Sequence, residues 1–503
     1  MIKLKENKGI TLVALIITVI ILLILAGVAL SLVIGENGLI TKSKQGVSKY
    51  KEKEETEKSQ LEEFEAEMGS KLADDDENPE LKPMKLRIKV EEGNEEIELP
   101  THLNYKYDCE VDWGDGSEKL NVKNGAYVET HTYSEPKEYT ITINGLFEGL
   151  DMRWGNESME KALIEVEQWG ATGLKGIDIN GSVNLNSIAT PSKNSFVNVE
   201  NFNFSFQNCK TLTQIPENLF ANCPNATEFA YTFQNCTSLK EIPENLFVNC
   251  LSATRFSNTF SYCTGLTSIP EKLFANTSKI TDLDSMFFEC KNLTSIPENL
   301  FANCSNVKNF SQTFYRCLNL KEIPENLFAN CSNVKNFSQT FDRCLNLKEI
   351  PENLFVNCPN VIHFDQTFES CTNLESIPEK LFANCINVED FYYTFSYCSN
   401  LTSIPENLFA NCPNVDNFNA VFESCTSLTS IPQNLFANCQ KVTKFDRAFY
   451  QCTSLTGKSL RLWEEGREGI TSTSGGTNCY NGCSNLEDFI SIPSDWKSAM
   501  TPL

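Results

Sequence analysis

Apolar residues fall on a fixed 27-residue period through the second half of the chain. The dipeptide Ile-Pro opens each period, at Ile215, Ile242, Ile269, Ile296, Ile323, Ile350, Ile377, Ile404 and Ile431. With that isoleucine as position 1, the recurrent pattern is I-P-E-N-L-F-A-N-C-x-N-V-x-x-F-x-x-T-F-x-x-C-x-x-L-x-x. A constant period of this kind signals a solenoid. Its Ile, Leu, Val and Phe positions recur in phase, so they stack as ladders that a single repeat could not bury. Each period has two similar halves, L-x-x-I-P-x-x-L-F-x-x-C and V-x-x-F-x-x-x-F-x-x-C, and each half predicts a short β-like stretch followed by a corner. The expected fold class is mainly β with short helical turns, in nine 27-residue coils over 215–457.

Upstream, the pattern changes three times. The run 10–34 carries only Thr11, Thr18 and Ser31 as polar side chains. As a helix of about 25 residues it spans roughly 37 Å, enough to cross a bilayer. Lys3, Lys5 and Lys8 precede it and predict an inside N-terminus, with the remainder outside. Residues 35–83 are rich in Lys and Glu, with Leu61, Phe64 and Met68 at helical spacing, and read as a charged helical stalk. It ends in the acidic linker Asp74-Asp75-Asp76-Glu77-Asn78-Pro79. Residues 84–150 alternate with period two, as in Lys85-Leu86-Arg87-Ile88-Lys89-Val90 and Tyr139-Thr140-Ile141-Thr142-Ile143, and predict strands. Residues 151–214 and 458–503 keep fragments of the repeat without its full pattern. They read as an N-terminal cap with the first coils and a C-terminal cap, since a solenoid needs atypical ends.

Charge and composition narrow the chemistry. The net charge of −24 argues against a nucleic-acid partner, which needs a basic face. The chain has three histidines, His102, His131 and His363, far apart in sequence, so no metal site is expected. No Ser/His/Asp or Cys/His set, phosphate loop or zinc-ligand spacing is present. The expected protein is not an enzyme and carries no cofactor. In the strand region, Asp112 and Asp115 sit at the Asp-Gly turn of Val111-Asp112-Trp113-Gly114-Asp115-Gly116 and are read as turn-forming residues.

The 21 cysteines are odd in number, and nearly all sit in phase with the repeat, at positions 9 and 22. Thr277 replaces one of them, which favours reduced, buried thiols that pack as small apolar groups. At position 8 asparagine recurs as Asn222, Asn249, Asn276, Asn303, Asn330, Asn357, Asn384, Asn411 and Asn438, and is read as a structural ladder capping turns. Positions 16, 17, 20 and 21 vary. They carry Tyr231, Tyr262, Phe288, Tyr315, Tyr392, Tyr393, Tyr397 and Tyr450, a candidate binding surface. Residues 296–322 and 323–349 differ only at Tyr315 and Asp342, the mark of a recent duplication.

Three stretches resemble known families. Lys8-Gly9-Ile10-Thr11-Leu12-Val13-Ala14-Leu15 resembles the type IV prepilin leader, which implies residues 1–9 as a leader cut between Gly9 and Ile10. The glutamate that pilins carry at the fifth mature position is Ala14 here. Trp113-Gly114-Asp115-Gly116, then His131-Thr132-Tyr133, then Tyr139-Thr140-Ile141-Thr142-Ile143 resembles the PKD-type β-sandwich, which implies a spacer domain. The F-x-x-C-x-x-L-T-S-I-P units, from Leu163 to the C-terminal Ser491-Ile492-Pro493-Ser494-Asp495-Trp496-Lys497, resemble BspA-like leucine-rich-repeat surface proteins. That resemblance implies a leucine-rich-repeat-like solenoid displayed on a cell. The expected function is a single-pass, membrane-anchored surface protein that adheres to or binds an extracellular protein or glycan. The alternative is a minor pilin-like subunit, with other pilin-like subunits as partners, or a surface spacer.

Overall fold

The structure, a computed structural model, describes residues 82–123, 129–152, 157–464 and 475–497. The leader cut at Gly9 and Ile10, the apolar run 10–34 and the stalk before residue 82 lie outside the described residues. Among the described residues, no helix is long and apolar enough to cross a membrane.

The chain first builds a small β unit. Its main sheet runs β10 (Ser187–Ile188), β8 (Leu163–Gln168), β1 (Met84–Lys89), β6 (Glu138–Phe147), β3 (Tyr107–Asp112) and β4 (Leu120–Lys123) in that order. β2 (Glu95–Glu98) pairs antiparallel with β5 (Thr130–Tyr133), and β7 (Gly149–Asp151) pairs parallel with β9 (Gly176–Asp178). The period-two pattern sets which face is buried: Met84, Leu86 and Ile88 of β1 and Tyr139, Ile141 and Ile143 of β6 all point into the core. A short helix, α1 (Glu157–Ala162), leads into β8.

The main sheet is not confined to 84–150. β8 and β10 come from the stretch read as the N-terminal cap, and they place the start of the solenoid at the edge of the same sheet. Trp169, which follows β8, donates its indole N–H to the Ala189 carbonyl at 2.7 Å and packs edge-on against Phe196. Tyr105 locks the parallel pair: a Cβ on Gly149 or Gly176 would lie within 2.0 Å of its ring or hydroxyl, so only glycine fits beneath it.

The coils follow the 27-residue register. The nine are numbered from 215–241 to 431–457, and a preceding turn built on Phe202 and Phe206 adds a further layer. Phenylalanines at positions 6, 15 and 19 stack on their counterparts in the next coil, as in Phe328 on Phe355 at 6.0 Å, Phe310 on Phe337 at 5.7 Å and Phe314 on Phe341 at 5.6 Å. All six rings are fully buried. Burial of a side chain this size stabilises by about 1.5–3 kcal/mol, and the three rings per coil act together with the buried Ile, Leu and Val columns to hold the coils together.

The coils contain less strand than the sequence pattern suggests. The V-x-x-F half contributes one β-bridge per coil, at position 14, in a parallel series from Gly176 through Asn201, Glu228 and Arg255 to Lys444. No such series forms in the L-x-x-I-P half. Extended backbone stops at position 17, where φ is near +57°, and turns again at position 21. Each positive φ closes a turn: Thr340 N–H bonds Phe337 O at 3.1 Å, and Cys344 N–H bonds Phe341 O at 3.2 Å. Between coils, the N–H groups at positions 15, 17, 19 and 21 donate to the next coil, as in Phe337 to His363, Gln339 to Asp365, Phe341 to Thr367 and Arg343 to Glu369. The turns therefore leave the coil-to-coil ladder intact.

At the far end, Tyr480 stacks on Phe449 at 5.7 Å, and Trp496 of α2 (Ser494–Lys497) covers the last coil beside Trp463.

Candidate functional site

The face that varies is the one carrying positions 14, 16, 17, 20 and 21. Its backbone is fixed by the ladder just described, while its side chains differ from coil to coil. Positions 17 and 21 hold non-glycine residues at positive φ, among them Tyr231, Tyr393 and Arg447 at 17 and Tyr262, Arg343 and Tyr397 at 21. That conformation costs an L-residue about 1–2 kcal/mol. It is repaid by the donor each such residue presents to its neighbour: Tyr393 N–H to Asn419 O at 3.0 Å, and Tyr397 N–H to Glu423 O at 2.7 Å.

The eight aromatic candidates occupy these columns, but in separate groups. Tyr231 stacks on Phe204, a residue the repeat pattern had not singled out, at 4.9 Å. Tyr262, Phe288 and Tyr315 form a run over coils two to four, at 5.2 and 4.5 Å. Tyr392 and Tyr393 meet edge-on at 4.4 Å in coil seven, with Tyr397 of the same coil donating its hydroxyl to Glu423 at 3.1 Å. Tyr450 in coil nine lies beneath the Arg447 guanidinium at 4.0 Å. Tyr262, Tyr392 and Tyr397 are the most exposed of these rings.

Charged groups fill the gaps between them. Glu423 is 1% exposed and accepts both arms of Arg447, the Nε contact at 2.7 Å. Asp342 is 2% exposed, its Oδ1 has no hydrogen-bond donor, and the nearest cation is Arg343 Nε at 3.7 Å. Burial pushes the Asp342 carboxyl up to about 8, and the neighbouring Glu369 charge adds to the effect. Glu369 is itself raised by burial, although Gln366 donates to it at 2.6 Å.

Coil stacking also unites residues that sequence distance kept apart. His363 and Asp365 of coil six meet Asp390 of coil seven, with potential ligand atoms all within 4.8 Å of one another. Asp365 accepts the Ser338 hydroxyl at 2.7 Å, and Asp390 accepts the Tyr392 N–H at 2.7 Å. Burial raises the Asp390 carboxyl, helped by the charge on Asp365. Asp390 stands one period beyond His363, so a search along the sequence for nearby ligands does not bring the three together.

The asparagines serve the scaffold. Asn249, Asn303, Asn330, Asn384, Asn411 and Asn438 donate their amides to the position-7 carbonyl of the preceding coil, at 2.6–3.1 Å. A second ladder, not singled out in the sequence, runs at position 11, where Asn306, Asn333, Asn360, Asn387 and Asn414 bond the preceding position-10 carbonyl. The position-22 thiols donate to the position-19 carbonyl one coil back, as in Cys344 Sγ to Phe314 O at 3.4 Å. Every cysteine is buried and unbridged. Burial pushes their thiols up, to about 12 for Cys236 and Cys304, so reactive thiolate is scarce. Thr277 stands in by bonding Phe274 O at 3.2 Å.

Asp112 and Asp115 shape the turn in the β unit. Asp112 accepts the Gly114 N–H at 2.9 Å, and Asp115 accepts the Ser117 N–H at 3.0 Å and contacts His131 Nε2 at 2.8 Å. Burial opposes ionisation of Asp115, but bonds from Ser117 and His131 prevail and bring it down to about 2. His131 stacks on Trp113 at 4.9 Å, and the Tyr133 hydroxyl donates to the Trp113 carbonyl at 2.9 Å.

Comparison with known proteins gives the following. The model of the "BspA type Leucine rich repeat region" matches in overlapping stretches, residues 174–361, 240–395 and 294–443. No curated protein sequence matches the chain. Among solved structures, a leucine-rich cell surface protein from Faecalibacterium prausnitzii A2-165 is similar at 18% identity and a TM-score of 0.35, over 70% of this chain and 86% of that one. The Toll–Spätzle complex of Drosophila is similar at 15% identity and a TM-score of 0.33, over 54% of this chain and 43% of that one.

Proposed function

This chain belongs to the BspA-type leucine-rich repeat family, and from that premise we propose that it is a membrane-anchored cell-surface protein whose coils bind an extracellular protein or glycan. The observation that carries the reading is the division of labour within each coil. Positions 8, 11, 15, 18, 19 and 22 are spent on the scaffold, while 14, 16, 17, 20 and 21 change on a face of fixed backbone. A rigid lattice bearing variable Tyr and Arg side chains suits recognition, because tyrosine gives large contact area for little lost entropy and arginine supplies a fixed fork of hydrogen-bond donors. It suits catalysis poorly, since a duplicable coil offers no uniquely placed reactive group; the protein is read as non-enzymatic. The apolar run 10–34 would hold it in the membrane with the N-terminus inside, and the β unit would act as a PKD-like spacer. A minor pilin-like subunit is the second reading. It rests on Lys8-Gly9-Ile10, and Ala14 weighs against it.

The test is adhesion by cells displaying the full chain. Retention on immobilised protein and glycan panels should exceed that of cells lacking it and should fall when Tyr392 and Tyr397 become alanine. Protease added to whole cells should degrade the repeats. Equal retention with and without the chain, or repeats resistant until lysis, would overturn the reading. Recovery of the chain in sheared surface filaments, starting at Ile10, would favour the pilin-like alternative.

A further inference from the structure

Charge on the variable face is segregated along the coils. From position 13 to 22, coils four and five carry Lys308, Arg316, Lys335 and Arg343 against the single carboxylate Asp342. In coils six to eight, the same positions carry Asp365, Glu369, Glu389, Asp390, Asp416 and Glu423 and no lysine or arginine. Coil nine carries Lys444 and Arg447 beside Asp446. The acidic window is three coils long, about 15 Å at strand spacing.

Coil nine answers part of this charge. Lys444 reaches Asp416 at 3.6 Å, and Arg447 is bidentate to Glu423. Asp365, Glu369, Glu389 and Asp390 have no lysine or arginine within 4.0 Å among the described residues; His363 Nδ1 lies 3.9 Å from Asp365. Next to the window, Asp342 is buried with Oδ1 lacking a donor. Burial raises the carboxyls of Asp342, Glu369 and Asp390, and the neighbouring acids Glu369, Glu423 and Asp365 respectively add to the rise.

The molecule shows what answers such a site. At the coil eight–nine border, a guanidinium bonds a buried carboxylate and lies over a tyrosine ring at 4.0 Å. Coils six and seven repeat the ingredients: Asp365, Glu369 and Asp390 beside Tyr392, Tyr393 and Tyr397, two of these rings well exposed. Arg343 and Arg447 lie near enough to act on Glu369 and on the coil-seven tyrosines, but no arginine bonds these carboxylates as Arg447 bonds Glu423.

Resting on the reading of the chain as a binding protein, we propose that coils six to eight dock a basic segment of a partner protein, its arginine or lysine side chains seated among Asp365, Glu369 and Asp390 and over the coil-seven tyrosines. Each seated cation gains charge-assisted bonds and a cation–π contact, and the basic coils four and five set one end of the register by repelling further cations.

The test uses the purified full-length chain in detergent and a fluorescein-labelled dodecapeptide of alternating arginine and serine. A glutamate–serine counterpart and calcium chloride alone are run beside it. The arginine peptide should bind, more weakly with added salt, and about tenfold more weakly to the D365N/E369Q double variant and to the Y392A/Y397A variant. Charge reversal at K308E/K335E, outside the window, should not weaken it. Unchanged melting temperatures for the variants certify folding. Equal binding of the glutamate peptide, or binding indifferent to D365N/E369Q in a folded chain, would overturn the proposal. So would calcium stabilising the wild type but not D365N/D390N and blocking the peptide, which would make this a metal site. Cells that adhere normally while displaying D365N/E369Q would sink this proposal and leave the adhesion reading standing; cells that never display the chain would sink the latter alone.

Discussion

Tyr315 and Asp342 hold the same place in neighbouring coils whose other 26 residues are identical. Tyr315 stacks on Phe288 at 4.5 Å and extends an aromatic run, whereas Asp342 ends that run with a buried carboxyl whose Oδ1 lacks a donor. One side chain thus turns a packing position into a desolvated acid.

Restoring the aromatic should stabilise the array. Asp342→Tyr makes coil five a copy of coil four and lets the ring stack on Tyr315. Removing an unpaired buried acceptor and adding a ring contact should raise stability by about 1–3 kcal/mol. Thermal melts of the two proteins at neutral pH decide it; a lower melting temperature for the variant would show that Asp342 is better satisfied than its geometry indicates.

The same residue predicts a pH dependence with a definite sign. Its folded-state value, about 8, lies above the ordinary carboxylate range. The stability this group lends is therefore fully present below that ordinary range, is eroded as the unfolded chain ionises, and is gone once pH passes about 8. Relative to wild type, Asp342→Asn should gain stability between pH 5 and pH 8 and then level off. Denaturant midpoints measured from pH 5 to 9 supply the curve, and a flat difference would contradict the assignment.

The thiols should be silent until the fold opens. With every cysteine buried and its thiol pushed up, iodoacetamide at pH 8 should leave the native chain unmodified and label all 21 sites in denaturant without reductant. Intact mass reports the count directly. A shortfall in pairs of alkyl groups would mean bridges along the ladder.

Excision of 323–349 should leave a folded protein. The cut joins coil four to coil six, whose ladder positions are equivalent, so one set of stacking contacts is lost and none is orphaned. Cooperative melting with a modest drop in midpoint is expected; an aggregated product would show that 27 residues is not the structural unit.

The repeat register, the buried Phe and Leu columns and the mainly β character could be read from the chain because periodicity records which side chains face inward. What it does not record is the backbone angle. Tyr393, Arg343 and Glu289 adopt positive φ that nothing in their chemistry announces, because the coil-to-coil hydrogen bond each makes compensates the strain. Those turns shorten the expected strand to the bridge at position 14. The partnership of His363 with Asp390, and the acidic window around it, emerge only once coils are stacked, since neighbours on the face are a full period apart in sequence. The sharing of one sheet by β1 and β8 was equally hidden, because strand partners across 75 residues leave no local signal.

That shared sheet has a mechanical consequence if the chain is tethered on its N-terminal side as proposed. The chain enters at Lys82 and Pro83 and leaves for the coils after Gln168, and these two points touch: Gln168 Nε2 donates to Pro83 O at 2.7 Å, and Ala171 N–H to Lys82 O at 3.0 Å. β1 and β8 run antiparallel from there, with Lys85 opposite Gln168 and Ile88 opposite Leu163. Tension between a held N-terminal side and a captured partner on the coils would therefore pull at one end of this ladder. The rungs would part in sequence, beginning at Lys82, rather than sharing the strain in parallel, and the junction would lengthen under force before the coils themselves were disturbed.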